Sequence, residues 1–259
     1  MTETGKTVLE ARHMKKIYNY QTPNEFEALH DINFKVTEGE FVGIMGPSGS
    51  GKSTFINNIS TIDECTEGNV FINGKNVRAM SANEIGHFRY ENLGFIFQDY
   101  NLLDTHTMYE NIAMPMALAH VNKDEIDKRI QAMAKEMQID TLLNKYPNEC
   151  SGGQRQRGAI CRALINHPRI IVADEPTGNL DSVNSSELMK VLQNLNEKDG
   201  VTIVMVTHDP LIASYSSRLI VIKDGNIETE LQKNTSSQDE YFQKIVEINS
   251  AESREILKK

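Results

Sequence analysis

The sequence predicts an α/β fold: a parallel-sheet core, an antiparallel β region on its N-terminal side and an inserted helical lobe. Three observations carry that expectation. Arg169-Ile170-Ile171-Val172-Ala173 and Val201-Thr202-Ile203-Val204-Met205-Val206 are uninterrupted apolar runs that suit central strands of a parallel sheet covered on both faces, and the apolar run Phe41-Val42-Gly43-Ile44-Met45 reads as a further strand. The first ~90 residues look rich in short strands joined by turns. From Asp99 to about Pro147 the character becomes helical.

Asn73-Gly74, set between Val70-Phe71-Ile72 and Val77, is a two-residue hairpin signal. Ser81-Ala82-Asn83-Glu84 has capping-box spacing and opens a short helix toward Tyr90, after which Gly94-Phe95-Ile96-Phe97 returns to strand. Thr107 with Glu110, and Asn122 with Glu125, mark the starts of two lobe helices. Ile126, Ile130, Met133 and Met137 share one face of the second, which places both methionines in the core. Met108, Met114 and Met116 have two readings, gap-filling core or adaptable contact with a partner.

A helical stretch from Ser185 to Leu195 separates the two later apolar runs, and Asp224-Gly225 marks a closing hairpin between Leu219-Ile220-Val221-Ile222 and Ile227. The tail from Asn234 is polar until Ser237 to Glu240, which cap a last amphipathic helix bearing Phe242, Ile245, Val246 and Ile248. These divisions give a main domain over 1–233, a helical subdomain over about 99–160 and a tail over 234–259.

The 259 residues suffice for one large α/β domain but not for two nucleotide-binding units. With 27 Lys+Arg against 36 Asp+Glu the formal net charge is -9, which offers no broad nucleic-acid footprint. No apolar run approaches the ~20 residues that cross a bilayer, and the polar start at Met1-Thr2-Glu3-Thr4 is not a signal peptide, so a soluble chain is expected. Cys65, Cys150 and Cys161 are odd in number and lack metal-type spacing, as in a reducing compartment.

Chemistry concentrates where a strand, a glycine-rich turn and a helix start meet: Gly46-Pro47-Ser48-Gly49-Ser50-Gly51-Lys52-Ser53-Thr54. Glycines let backbone N–H groups converge on an anion, and the following helix offers it a positive end. Lys52 would reach the β and γ phosphates of a nucleoside triphosphate and the Ser53 hydroxyl would hold Mg²⁺ against them. Asp174-Glu175 at the carboxyl edge of a strand then supplies a Mg²⁺ ligand and a base for water, although a turn or cap role is the alternative. Ser151-Gly152-Gly153-Gln154 before a helix is a second anion nest or an ordinary serine cap.

The order of these parts, with Gln98 after a strand, Asn179-Leu180-Asp181, and Thr207-His208-Asp209 after another strand, resembles the ATP-binding subunit of an ABC transporter, a P-loop NTPase of RecA-like fold. The likeness runs from Tyr18 to about Gly225. It implies that Tyr18 stacks on adenine, that Gln98 touches Mg²⁺, that His208 contacts the γ-phosphate, and that Asp181 belongs to the nucleotide site. From the residues alone Tyr18 is also a strand-edge aromatic, with Tyr20 or Phe26 as alternatives for stacking. The family further implies a homodimer in which Ser151 and Gly153 meet ATP held by the other copy. Cys150 departs from the leucine common before that serine; a small hydrophobe can substitute there, and redox control through it is disfavoured.

The passage from Gly94 to Leu103, Tyr146-Pro147, Thr177-Gly178-Asn179-Leu180-Asp181, Ala213-Ser214-Tyr215 and Lys223-Asp224-Gly225 are similar to the antimicrobial-peptide resistance branch, of bacitracin and lantibiotic type. Lipoprotein-release and macrolide-export relatives share much of this pattern. The branch implies an integral-membrane permease, a sensor histidine kinase acting with it, and a place at the cytoplasmic face of the membrane. A non-transport regulator of a membrane partner is the rival class, and a soluble scaffold or repair ATPase the third.

Overall fold

The computed structural model describes residues 5–234 and 237–256. The polar start at Met1-Thr2-Glu3-Thr4 and tail residues 235, 236 and 257–259 lie outside the described residues. In chain order the elements are β1 (Thr7–Tyr18), β2 (Phe26–Thr37), β3 (Phe41–Met45), α1 (Lys52–Ile59), β4 (Glu67–Ile72), β5 (Lys75–Asn76), α2 (Ala82–Asn92), β6 (Leu93–Phe97), α3 (Met108–Leu118) and α4 (Lys123–Glu136). They continue as α5 (Gly152–Leu164), β7 (Ile170–Asp174), α6 (Ser182–Asp199), β8 (Thr202–Val206), α7 (Pro210–Ala213), β9 (Arg218–Lys223), β10 (Asn226–Gln232) and α8 (Gln238–Ile256). Two compact units result, Met1–Met80 with Gln193–Lys259, and Ser81–Leu192.

In the first unit an antiparallel sheet runs in the order β2-β1-β4-β5. The short strands expected at the N-terminus are instead two strands of 12 residues, paired from Thr7↔Thr37 to Tyr18↔Phe26. Register shifts between Ala11 and Lys16, with His13 at φ 49, break the alternation that would have shown one long strand. Both hairpin signals hold: Asn73-Gly74 turns with φ 51 and 76, and Asp224-Gly225 with φ 45 and 73.

β3 lies between β8 and β9 and is parallel to both. All five residues of β3 and of β8 are buried, which is why both read as unbroken apolar runs. Phe55 of α1 meets Phe34 edge to face with ring centroids 5.1 Å apart. The last helix forms as expected, with Glu240 N–H donating to Ser237 Oγ at 3.3 Å, but Tyr241 and Ile245 seat it against Met45, Ala213, Leu219 and Val221. Phe242 and Val246 are only half-buried, so the apolar face begins one residue before the expected one.

In the second unit β6 and β7 pair in parallel from Leu93↔Ile170 to Phe97↔Asp174. Ser81 and Thr107 make the expected capping boxes with Glu84 and Glu110. Asn122 caps α4 by accepting from Asp124 N–H, while Glu125 pairs with Arg129 instead of reaching back. Met108, Met116 and Met137 are buried; Met133 is half-buried, because Ile126, Ile130 and Ala134 carry the α4 face. α6 starts earlier than expected, at Ser182, since Asp181 Oδ1 accepts from Asn184 N–H at 2.8 Å.

Candidate functional site

The first unit supplies the phosphate loop. β3 delivers the chain to Gly46, whose φ is 151 and whose missing Cβ would stand 2.0 Å from the Ile222 carbonyl oxygen. Only glycine fits that approach. Lys52 folds back over the loop, Nζ donating to the carbonyls of Gly46 at 2.9 Å and Pro47 at 2.8 Å. Ser50 is 2% exposed, and its Oγ finds no hydrogen-bond partner among the described residues. Gly51, at φ 101, opens α1 without a side-chain cap and with no acidic residue in the first turn. A buried orphan hydroxyl, a lysine and an uncapped helix start fit an anion with several oxygens.

Around that loop, Pro47 is half-buried, Ser48, Gly49 and Ser53 are exposed, and Thr54 is half-buried. Tyr18 lies at the end of β1 with its hydroxyl 3.3 Å from Thr54 Oγ1, so the structure ties this aromatic to the first turn of α1. Phe26 stands opposite Tyr18 in register, and Tyr20 lies in the connection between the two strands. His208 follows β8 as an exposed residue, between buried Thr207 and Asp209, whose Oδ1 caps α7 by accepting from Leu211 N–H at 2.8 Å.

The second unit assembles the remaining candidates. Gln98 is exposed after β6, and Asn179 Nδ2 donates to its carbonyl at 3.0 Å and to Asp99 Oδ1 at 2.8 Å. Asp174 ends β7, and Glu175 follows it at φ 47, a left-handed backbone uncommon for a glutamate. The turn is closed by Gly178 N–H donating to the Glu175 carbonyl at 3.0 Å.

Ser151 caps α5: its Oγ accepts from Gln154 N–H at 3.3 Å and its own N–H donates to Gln154 Oε1 at 2.9 Å. Gly152 and Gly153 form the first turn, and a Cβ on Gly153 would stand 2.5 Å from Asn184 Oδ1. Asn184 is itself held by both Asp181 oxygens at 2.8 Å, and its backbone N–H, chiefly, holds the Asp181 carboxyl below the usual range. Cys150 is 8% exposed, and burial pushes its thiol up, opposing the thiolate that redox chemistry needs.

Two contributors escape a motif reading. Tyr100 is 7% exposed, with the Arg155 guanidinium 5.1 Å from its ring centroid and Arg162 Nη2 donating to its carbonyl at 2.7 Å. Gln156 is 1% exposed and donates from Nε2 to the Pro176 carbonyl at 2.8 Å. It stands one turn before Ala159 and Ile160 on the apolar stripe of α5, and that position was the available signal.

A family model described as ABC transporter matches residues 29–178, and so spans the phosphate loop, Gln98, Ser151 and Glu175. The ABC transporter ATP-binding protein YxdL of Bacillus subtilis (strain 168) is 46% identical over 243 residues, covering 94% of this chain and 93% of the relative. The bacitracin export ATP-binding protein BceA of Halalkalibacterium halodurans is 48% identical over 239 residues, covering 92% and 94%. Among solved structures, the dimeric post-hydrolysis state of the ATP-binding cassette MJ0796 bound to ADP and Pi superposes with a TM-score of 0.81 at 39% identity, covering 88% of this chain and 99% of that one. The chain therefore belongs to the ABC transporter family, as an ATP-binding cassette that hydrolyses ATP.

Proposed function

We propose that this cassette powers a membrane permease that strips or expels a cell-wall-targeting antimicrobial peptide of bacitracin or lantibiotic type. The observation that carries the proposal is the 48% identity to a bacitracin export ATP-binding protein across 92% of the chain. Among the described residues no helix is long and apolar enough to cross a membrane, so export needs a membrane-embedded partner. The second unit offers a surface for one: a groove of about 390 Å³ lined by Phe95, Phe97, Met114, Pro115 and Leu118. Leu118 is 60% exposed, and we assign this groove to a short helix on the cytoplasmic side of the permease. In this reading the chain sits at the cytoplasmic face of the membrane, and a sensor histidine kinase is reached through the permease.

In the proposed mechanism Tyr18 stacks on adenine while the loop from Gly46 to Thr54 and Lys52 neutralise the phosphates. Ser53, Gln98 and Asp174 would hold Mg²⁺ through hard oxygen donors, against phosphates rather than in a cage of its own. Bound there, Mg²⁺ would neutralise charge on the β and γ phosphates. Glu175 takes the proton of the attacking water, and His208 orients the γ-phosphate. The dimeric state of MJ0796 supports a homodimer, in which Ser151, Gly152, Gly153 and Gln154, followed by Asp181, face the ATP of the other copy.

Deleting the gene tests the proposal directly. Growth inhibition by bacitracin or a lantibiotic should appear at several-fold lower concentration, and unchanged sensitivity to both would refute it. The tagged chain should co-purify with a many-helix permease; a short division-type membrane partner would instead mark a regulator.

A further inference from the structure

We infer that Gln156 is a positioning residue for the catalytic base, linking the Ser151 helix to the turn that carries Glu175; this rests on the reading of Glu175 as that base. Glu175 occupies a left-handed backbone conformation at φ 47, so its placement depends on contacts that hold the turn. One contact is local, from Gly178 N–H to the Glu175 carbonyl at 3.0 Å. Another comes from 20 residues away, where Gln156 Nε2 donates to the carbonyl of Pro176 at 2.8 Å in buried surroundings. Proline has no N–H, so the carbonyl is the hydrogen-bonding group of its backbone that a neighbour can grip.

The side chain is out of place for simple packing. Gln156 is 1% exposed on the stripe that continues as Ala159, Ile160 and Ala163, yet it buries an amide whose Oε1 has no partner among the described residues. A leucine there would avoid that cost. The retained amide therefore points to its donor end, and the acceptor of that donor is the residue after the base.

Position along α5 gives the link a direction. Ser151 caps the helix and Gln156 lies five residues further on, about 7.5 Å along a rigid axis. Movement of the Ser151 end on meeting an anion is carried to Pro176 through one hydrogen bond. Base placement and engagement of the Ser151 helix start thereby become coupled.

The test uses the full chain with Mg-ATP and compares Gln156→Glu, nearly isosteric but lacking the amide donor, with Gln156→Leu, which keeps the core filled if the first variant does not fold. We expect kcat to fall at least tenfold with KM for ATP changed less than twofold. In a Glu175→Gln background the same substitutions should alter residual single-turnover hydrolysis by less than twofold, because the base they position is already gone. Normal kcat in both Gln156 variants, or an equal fall in the Glu175→Gln background, overturns the inference while leaving Glu175 as base. Normal hydrolysis by Glu175→Gln alone overturns the base assignment and this inference with it.

Discussion

The helix starts at α1 and α5 are both glycine-rich and both predicted to meet phosphate, but they are built in opposite ways. α1 begins at Gly51 with no side-chain cap, behind a buried Ser50 and a Lys52 folded onto loop carbonyls. α5 begins at exposed Ser151 with a complete capping box to Gln154. At the first, helix N–H groups without a side-chain cap suit an anion as their acceptor. At the second, the capping box already engages the N–H groups of Ser151 and Gln154 within the chain. In the proposed dimer an incoming phosphate at α5 would compete with the serine cap for Gln154 N–H, so engagement there would be conditional, whereas α1 offers N–H groups without a side-chain cap.

The sharpest break of this contrast is Gly46→Ala. Its Cβ would meet a backbone oxygen, Ile222 O, at 2.0 Å, and backbone cannot rotate away. We expect a loss of about 3 kcal/mol in stability or of measurable ATP binding, by denaturant melts and nucleotide titration. At α5 the corresponding clash of Gly153→Ala is with the Asn184 side chain at 2.5 Å, which a rotamer change relieves, so folding and ATP affinity of the single chain should persist.

Next in size is Ser151→Asp, which separates the two roles of the α5 start. Aspartate caps a helix as well as serine does, so stability should move by less than about 0.5 kcal/mol. Its charge, however, repels a phosphate, and steady-state ATPase activity should fall on the order of 100-fold. Unchanged activity would leave Ser151 a cap alone. Lys52→Ala should act on binding, weakening ATP affinity roughly 10- to 100-fold as one charge-assisted contact is lost, with the α5 half untouched.

Much of this was legible because the decisive signals are local. Ser81 with Glu84, Thr107 with Glu110, Asn73-Gly74 and Asp224-Gly225 specify their own backbone within four residues, and each appears where its residues place it. What escaped depends on partners far along the chain. The length of β1 is hidden by register shifts that its neighbours β2 and β4 absorb. Tyr241 is buried by Met45 and Ala213, which no periodicity within the tail announces. Gln156 reads as part of a polar run between Arg155 and Arg157, and only the Pro176 carbonyl shows why an amide is kept there. Local chemistry reveals the parts of a site; the contacts that aim those parts are long-range.

The smallest expected effect concerns Cys150, the residue before the α5 cap. If the conditional character of α5 arose from thiol chemistry, oxidants or alkylating reagents would switch the ATPase. Burial pushes this thiol above its ordinary range, with Lys145 and Arg155 pulling weakly the other way, so the reactive thiolate is scarce at neutral pH. The side chain then serves as a small hydrophobe, and Cys150→Leu should keep ATPase activity within about twofold. Treatment of the folded protein with a maleimide at pH 7 should leave turnover unchanged over the time that exposed thiols react. Rapid inactivation, prevented by ATP and absent in Cys150→Leu, would move control of the α5 start from its serine cap to the neighbouring sulfur.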